Sequence, residues 1–265
     1  MNDTVPRRAD KAAHGKWRLP FKGRSLFEIG KDLRPRIDRV IMRGSLLPDR
    51  AILDTAWMPW IAMLERNWEQ IRDEAVRLRT RDIPALGDLS PDHGRIAADR
   101  RWKSFFLAGY GYRRIENCAR APVTAALIAR IPGLVTAVFS VLEAGGRIPR
   151  HYGMTKGMLT YHLALRVPRQ RAQCRIQIEG ADALHTICWA DGRSLLFDDT
   201  YNHQVWNDTD EDRYILLLQV RRPCRGVARL LLGVFLFGVK HSRFVQDIKR
   251  RLDALGAEPV PRPAR

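Results

Sequence analysis

Cysteine is scarce in this sequence, and its spacing excludes the common cysteine-based sites. The chain has four cysteines that form no Cys-x-x-Cys pair, and none of them stands at metal-ligand spacing from a histidine. A structural zinc site and a disulfide-bonded scaffold are therefore not expected. Few and scattered cysteines favour a protein of a reducing compartment.

Long apolar runs are also lacking. The longest, LLLGVFLFGV over residues 230–239, is about half as long as a membrane-spanning helix. The N-terminus, residues 1–24, is charged and has no apolar segment typical of a signal peptide. We therefore expect a cytoplasmic protein, peripheral at the inner face of the cytoplasmic membrane.

Acidic residues are few relative to basic ones. The chain carries 29 Asp and Glu against 46 Lys and Arg, a formal charge of +17 and a pI near 10.5. Such a charge attracts polyanions, which could be nucleic acid, an anionic membrane or lipopolysaccharide-like phosphates. No RNA-binding motif accompanies the charge, so we expect no nucleic-acid partner. An arginine-rich composition without any polyanionic partner is the alternative.

The first half of the chain contains helical patterns. Apolar residues recur at three- and four-residue spacing over residues 59–79, which predicts one amphipathic helix with a tryptophan-rich core stripe. Shorter helices are predicted before Pro35 and over residues 118–133. The segment RWKSFFLAGYGYR, residues 101–113, is predicted to form a strand pair or a strand and a turn.

After residue 133 the pattern changes to short β-type runs. Six such runs follow within about 85 residues, bounded by Gly, Pro, Asn or Asp and with no helix between them. This predicts a mainly β fold with flanking helices, a sandwich or a barrel. We predict a single domain over residues 51–223 with its β core over 134–223. A basic N-terminal segment, 1–50, partly disordered or surface-bound, precedes it, and a basic amphipathic segment, 224–265, follows.

Two residues of the β region call for a polar environment. In the predicted strand 158–167, Leu159 and its alternate neighbours share one face, whereas His162 lies on the other. A lone strand histidine is more often structural than functional. Arg213 opens the apolar strand RYILLLQV and needs a partner, because an unpaired buried guanidinium is costly. A bound dicarboxylate is one possibility, and an acid of the preceding turn, 208–212, is the other.

Several motifs of this region resemble a known family. The His-x-Gly-x-Thr segment that begins at His151, the His-Leu pair of the strand and the stretch LLFDDTYNHQVWNDTDEDR resemble the aspartyl/asparaginyl β-hydroxylases, a branch of the Fe(II)/2-oxoglutarate dioxygenases. The resemblance runs over residues 136–223. Its most specific parts are FDD-x-x-x-H-x-V-W-N and the ten-residue step from His203 to Arg213.

The resemblance implies a fold and a set of site residues. The core would be a double-stranded β-helix of the jelly-roll, cupin-like type, with Fe(II) as the metal and 2-oxoglutarate and O2 as cosubstrates. His151 and His203 would be the catalytic iron ligands. Arg213 would bind the distal carboxylate of 2-oxoglutarate, Ser140 would place a hydroxyl beside it, and His162 would lie near the metal-chelating end.

The sequence departs from the family pattern at three positions. Gly153 stands where most dioxygenases carry a carboxylate. The peptidyl hydroxylases of the family share this feature, whereas the bacterial lipid A hydroxylases typically keep the acid. Asp198 or Asp199 could stand in for the missing acid, and Asp198 is interpreted as supporting the site without binding the metal. Lys156 and Thr160 replace the family's usual Asn and Arg, which suggests altered substrate contacts.

The flanking segments favour a lipid substrate. The helix before the barrel resembles the N-terminal part of the bacterial lipid hydroxylases, and basic ends suit an anionic membrane. Residues 229–244 would lie in the membrane interface or pack on the barrel. We expect hydroxylation of an acyl chain of a membrane lipid, an ornithine lipid or lipid A, at the 2-position, with no obligate protein partner. A peptidyl aspartyl/asparaginyl β-hydroxylase is the alternative, and the intact His151, His203 and Arg213 argue against a noncatalytic adaptor.

Overall fold

The computed structural model describes residues 26–90 and 94–257. The chain divides into two units, residues 1–35 and residues 36–265, and the account below concerns the second. Residues 1–25 of the predicted basic N-terminal segment and residues 258–265 of the C-terminal segment lie outside the described residues.

Helix α1 spans Leu26–Arg43 and includes Pro35. The prediction that the helix ends before Pro35 is therefore wrong. A proline inside a helix removes a backbone hydrogen bond, but Ile41, on the later part of α1, is completely buried. Tertiary packing of this kind outweighs the local signal of the proline.

The predicted amphipathic helix over residues 59–79 is two helices, α2 (Trp60–Arg66) and α3 (Trp68–Arg77). They are separated at Asn67, whose side-chain amide donates to the carbonyl oxygen of Met63 at 2.7 Å. A short polar side chain that bonds the local backbone competes with the helix in this way. The tryptophan stripe is core, as predicted, because Trp60 is buried and packs edge-on against Tyr161 at 5.1 Å between ring centroids.

Three short helices follow. The first, α4, covers Leu86–Leu89, and the segment predicted as one helix over 118–133 contains α5 (Ile115–Arg120) and α6 (Pro122–Ile128). The division falls before Pro122, which occupies the first turn of α6, where its missing N–H costs nothing.

Eleven strands of the described chain form two antiparallel sheets, in agreement with the predicted mainly β fold. The larger sheet has the order β1-β9-β6-β11-β4-β2-β3, and the smaller has the order β5-β10-β7-β8. Such a pair of facing sheets is a double-stranded β-helix. The strands are β1 (Ile52–Leu53), β2 (Trp102–Gly109), β3 (Tyr112–Arg113), β4 (Leu134–Leu142), β5 (Arg147–His151), β6 (Met158–Arg166), β7 (Cys174–Glu179), β8 (Leu184–Cys188), β9 (Ser194–Phe197), β10 (His203–Asn207) and β11 (Arg213–Arg221).

The alternation predicted for β6 separates two cores. Leu159, Tyr161 and Leu163 pack against α2 and α3 in the outer core. Ala164 packs on the other face, with residues of both sheets, and His162 shares that face. The space between the sheets is therefore lined from β6 by polar as well as apolar side chains.

Two helices close the described chain, α7 (Gly226–Lys240) and α8 (Arg243–Ala257). One face of α7 is buried, with Leu232 and Leu236 in a cluster that contains Ile41, Val135 and Met158. No helix within the described residues combines the length and the apolar character needed to cross a membrane.

Candidate active site

A pair of histidines lies at one edge of the space between the sheets. β5 ends at His151 and β10 begins at His203, and the antiparallel register sets these two residues opposite each other. Their ring centroids are 4.1 Å apart. The two imidazoles therefore come together because two strand ends of the smaller sheet meet.

Hydrogen bonds to carbonyl oxygens define the protonation of both rings. His151 Nδ1 lies 2.8 Å from the carbonyl oxygen of Pro149, and His203 Nδ1 lies 2.9 Å from that of Tyr201. A carbonyl can only accept, so each Nδ1 carries the proton and each neutral ring keeps a lone pair on Nε2. This tautomer leaves Nε2 of each ring available to bind a metal ion.

Burial keeps both rings neutral. Desolvation lowers the pKa of His151, and the neighbouring Arg95 adds to this effect. Desolvation, with a contribution from His151, lowers the pKa of His203 to about 4. Neutral imidazoles at neutral pH are competent metal ligands.

The side chain of Asp199 occupies the space beside Gly153. A Cβ atom at Gly153 would lie 2.0 Å from Asp199 Oδ1, far inside contact distance. Asp199 Oδ2 accepts a hydrogen bond from Thr160 Oγ1 at 2.9 Å, and the Asp199 carbonyl accepts from the N–H of Gly153 at 2.6 Å. Glycine at 153 is therefore a steric requirement of this site.

The described residues contain no group of three or more His, Cys, Asp or Glu side chains that could hold a metal ion. The histidine pair is thus a two-ligand arrangement.

Asp198, the neighbour of Asp199, has a different environment. It is fully buried and pairs with Arg222 at 2.6 Å and with Lys156 at 3.2 Å. It also accepts a hydrogen bond from the N–H of Thr200 at 3.0 Å. These contacts hold the turn in which the Tyr201 carbonyl faces His203. They also mean that Lys156 forms an ion pair with Asp198.

Arg213 is almost completely buried at the start of β11, with 1% of its surface exposed. Within the described part of the chain no carboxylate pairs with it, and its buried Nε has no hydrogen-bond partner. Asp208 pairs instead with Arg147, and Asp212 accepts from Thr80 Oγ1 at 3.2 Å. Burial lowers the pKa of Arg213 to about 10. The alternative of a partner from the turn 208–212 is not realised in the structure.

Further polar groups surround Arg213. Ser140 and Leu142 share one face of β4, and Leu142 is directly opposite Arg213 in β11. Ser140 Oγ accepts a hydrogen bond from Trp102 Nε1 at 2.9 Å. The Arg213 guanidinium lies 4.6 Å from the ring centroid of Trp189, a stacking contact.

His162 and Trp189 complete the interior group. Their ring centroids are 6.1 Å apart, and His162 Nδ1 and Trp189 Nε1 are both buried without a hydrogen-bond partner. Burial, with smaller contributions from the Arg213 and His203 charges, lowers the pKa of His162 well below its usual value. Buried polar groups without partners are rare in proteins, and here His162 Nδ1 and Trp189 Nε1 lie close to a third, Arg213 Nε.

The sequence reasoning missed Trp189. This tryptophan lies between β8 and β9, outside any periodic pattern, and only its burial of 97% and its contact with Arg213 reveal a role. The five residues predicted for the site, Ser140, His151, His162, His203 and Arg213, all lie on strands of the two facing sheets.

These residues can hold a metal ion and an anionic molecule together. The histidine pair offers two Nε2 lone pairs, and the interior offers an unpaired guanidinium, an indole N–H and an imidazole. A double-stranded β-helix that carries such a set has the chemistry of a non-haem metal-dependent oxygenase.

Comparisons with known proteins agree with this class. The model of the family described as aspartyl/asparaginyl beta-hydroxylase matches residues 65–223. The chain belongs to the aspartyl/asparaginyl β-hydroxylase family, and it is a hydroxylase.

Individual relatives differ in the substrates that their names state. The chain is 38% identical over 193 residues to an ornithine lipid ester-linked acyl 2-hydroxylase of Rhizobium tropici, covering 72% of this chain and 67% of that protein. It is 29% identical over 175 residues to the human aspartyl/asparaginyl beta-hydroxylase, covering 64% of this chain but only 22% of that protein. A Trichoplax adhaerens prolyl hydroxylase, solved with a hypoxia inducible factor peptide fragment, aligns with 80% of this chain and 97% of its own at 14% identity, with a TM-score of 0.45.

Proposed function

We propose that His151 and His203 bind Fe(II) and that Arg213 binds the distal carboxylate of 2-oxoglutarate. The observation that carries this proposal is the buried Arg213, since a dicarboxylate would supply the bidentate partner that the described residues do not provide. Ser140 would add a hydroxyl beside that carboxylate, and His162 would bond the other end of the cosubstrate.

Each residue has a defined task in this mechanism. The metal and 2-oxoglutarate, when bound with O2, supply the oxidation that converts a C–H bond to C–OH as 2-oxoglutarate becomes succinate and CO2. The carbonyls of Pro149 and Tyr201 keep the two histidines in the binding tautomer. The apolar side chains around the interior exclude water from the reacting groups.

The proposed substrate is an acyl chain of a membrane lipid, hydroxylated at the 2-position. The lipid that we favour is an ornithine lipid, and lipid A is the second choice. The 38% identity to a lipid hydroxylase, against 29% to a peptidyl one, supports this choice, as does the basic charge of the chain. Gly153 argues against lipid A as the substrate, because the lipid A hydroxylases typically carry an acid at this position. We place the enzyme at the inner face of the cytoplasmic membrane, where such a substrate is available.

Mass spectrometry of total lipids tests this function. The host should make both ornithine lipids and lipid A and should express the intact protein, His203→Ala or His185→Ala. His185 lies on β8 outside the site and provides the matched control. We expect one lipid class to gain one oxygen atom per molecule with the intact protein and with His185→Ala, but not with His203→Ala.

A peptidyl hydroxylase is the second candidate, favoured by the glycine at 153 that the peptidyl members share. If no lipid changes while the purified protein produces succinate in the presence of an aspartyl or asparaginyl peptide, the lipid proposal is wrong and the peptide proposal replaces it.

A further inference from the structure

Helix α7 exposes apolar side chains on the face that points away from the protein. Val227 is 73% exposed, Leu230 70%, Val234 62% and Phe237 67%. Their spacing of three, four and three residues places them on one side of the helix, which we call the outer face. The opposite side carries Ala228, Leu232 and Leu236, which are all buried. The helix is therefore apolar on both sides.

Such an outer face is unusual for a helix on a protein surface. A surface helix normally carries polar residues opposite its buried stripe, and a continuous exposed apolar patch marks an interaction site. The surface is open here, because a Cβ atom built at Gly233 or Gly238 would meet no other atom within 4 Å.

The charges around the outer face have one sign. Arg229 and Lys240 are the charged residues of α7, and the helix contains no acid. Arg229 is exposed, as are Arg225 before the helix and Arg243 after it. From Arg221 to the C-terminus the sequence has eleven Lys and Arg against three Asp and Glu. Apolar residues flanked by cations fit a bilayer that contains anionic lipids.

The inner side of α7 contacts the segment that leads away from the histidine pair. A Cβ atom at Gly157 would lie 2.4 Å from Leu232 Cδ1, and Met154 packs against the same cluster. Gly157 and Met154 belong to the connection between His151 and β6. The outer face is therefore about one helix diameter, roughly 10 Å, from this connection.

We propose that the outer face of α7 docks on an anionic phospholipid bilayer, with Leu230 and Phe237 in the acyl boundary and Arg225 and Arg229 among the headgroups. This docking deepens the proposed function and rests on it for its purpose, because it would bring the hydroxylase to a substrate that stays in the membrane. The binding itself can be measured without any hydroxylation.

Vesicle co-sedimentation of the full chain tests the docking. The vesicles are phosphatidylcholine alone and phosphatidylcholine mixed with phosphatidylglycerol. We expect binding to the mixed vesicles and at least about tenfold weaker binding of Leu230→Gln/Phe237→Gln, since both side chains lose their burial in the membrane. Arg229→Gln should bind the mixed vesicles about fivefold more weakly. The matched control is Ile115→Gln, at a residue 69% exposed elsewhere on the surface, which should bind like the intact protein.

Several results would overturn the docking proposal. Intact protein that binds neither vesicle, or a double variant that binds as well as the intact protein, contradicts it. A dimer in light scattering that becomes a monomer in the double variant assigns the face to a second copy of the chain.

A second measurement separates the docking from the hydroxylase proposal. The double variant should hydroxylate lipid dissolved in detergent at the normal rate and lipid in vesicles at a reduced rate. Normal vesicle binding with no hydroxylation of lipid in either form would leave the docking intact and refute the lipid substrate.

Discussion

Two arginines of this protein are equally buried but differ in their partners. Arg222 donates to Asp198 Oδ2 at 2.6 Å and to the carbonyl oxygens of Lys156 and Pro48. Arg213 stacks on Trp189 and has no acid partner within the described chain. An uncompensated buried charge costs stability, and the proposed binding of a dicarboxylate would compensate for this cost at Arg213.

This contrast predicts opposite effects of the same substitution. Arg213→Met should stabilise the ligand-free protein by about 1–3 kcal/mol, because it removes an unpaired buried charge. Arg222→Met should destabilise it by about 3–5 kcal/mol, because Asp198 is left buried and unpaired. Urea unfolding of both variants measures the difference. A loss of stability in Arg213→Met as large as that in Arg222→Met would contradict the role of Arg213 as a ligand-binding residue.

Burial also shifts the pKa of Arg213 in the direction that disfavours its charged form. Its folded-state pKa, about 10, lies below its ordinary value because the guanidinium is buried. The folded state therefore disfavours the charged form, and this cost is fully present below pH 10. The contribution of Arg213 to the free energy of unfolding increases only as the pH rises from about 10 towards the ordinary pKa of arginine.

The contact between Gly153 and Asp199 predicts that an acid cannot simply be restored. Gly153→Asp should lose about 1–3 kcal/mol of stability, because its Cβ atom would overlap the Asp199 carboxylate. The reciprocal variant Gly153→Asp/Asp199→Gly removes the overlap and should regain part of that loss. Urea unfolding measures both variants. Equal stability of Gly153→Asp and the intact protein would show that the two side chains do not compete for this space.

At the scale of the elements, Asn207 holds the turn that leads to Arg213. Its side-chain amide donates to the carbonyl oxygens of Leu142, Glu143 and Glu211 at 2.8–3.1 Å, and the residue is fully buried. These hydrogen bonds explain why the motif H-x-V-W-N ends in an asparagine. The chemistry at the metal does not by itself require an asparagine at this position.

Loss of this side chain should therefore affect both stability and cosubstrate binding. Asn207→Ala leaves three backbone acceptors without their donor and should cost about 2–4 kcal/mol, with a raised KM for 2-oxoglutarate. Asn117→Ala is the control, since Asn117 donates to the single carbonyl of Phe106 and its loss should cost about 1 kcal/mol. Urea unfolding and a titration of 2-oxoglutarate in the succinate assay measure the two effects. Equal costs for both variants would contradict the role of Asn207.

The elements differ in how far the sequence could predict them. The strands of the larger sheet are rich in buried apolar residues, and β4, β6 and β11 lie where their patterns predict. β5 contains Pro149 and has a single buried residue, Ile148, while β8 has none. Both are outer strands of the smaller sheet, where hydrogen bonds to one neighbour hold a strand without an apolar pattern. β5 was therefore not predicted as a strand, although it carries His151.

The residues of the candidate site also differ in how far the sequence could predict their positions. His203 and Arg213 could be placed from their spacing in one continuous motif, and His151 from a separate short motif. The contact of Trp189 with Arg213 and the overlap at Gly153 depend on how loops fold over the sheets, and local sequence does not encode that. Helix α1 continues through Pro35 for a related reason, since the burial of Ile41 belongs to the tertiary structure.

At the scale of the whole molecule, the fold combines a buried arginine that has no acid partner in the described chain with a helix whose outer face is apolar. Both features cost stability in the isolated chain, and natural proteins concentrate such costs at functional positions. The ligands should therefore stabilise the molecule as a whole, which makes thermal unfolding a direct probe of the site.

Mn(II), which replaces Fe(II) without oxidation, and 2-oxoglutarate should raise the Tm in two steps. A ligand at 100 times its Kd contributes about 2.7 kcal/mol, or roughly 5–10 °C for a chain of this size. His203→Ala should lose the metal step, and Arg213→Met should keep it while losing the 2-oxoglutarate step. His185→Ala, with the same change outside the site, should keep both. If 2-oxoglutarate raises the Tm of Arg213→Met as much as that of the intact protein, the buried guanidinium is not its binding partner, and the cosubstrate must be held elsewhere.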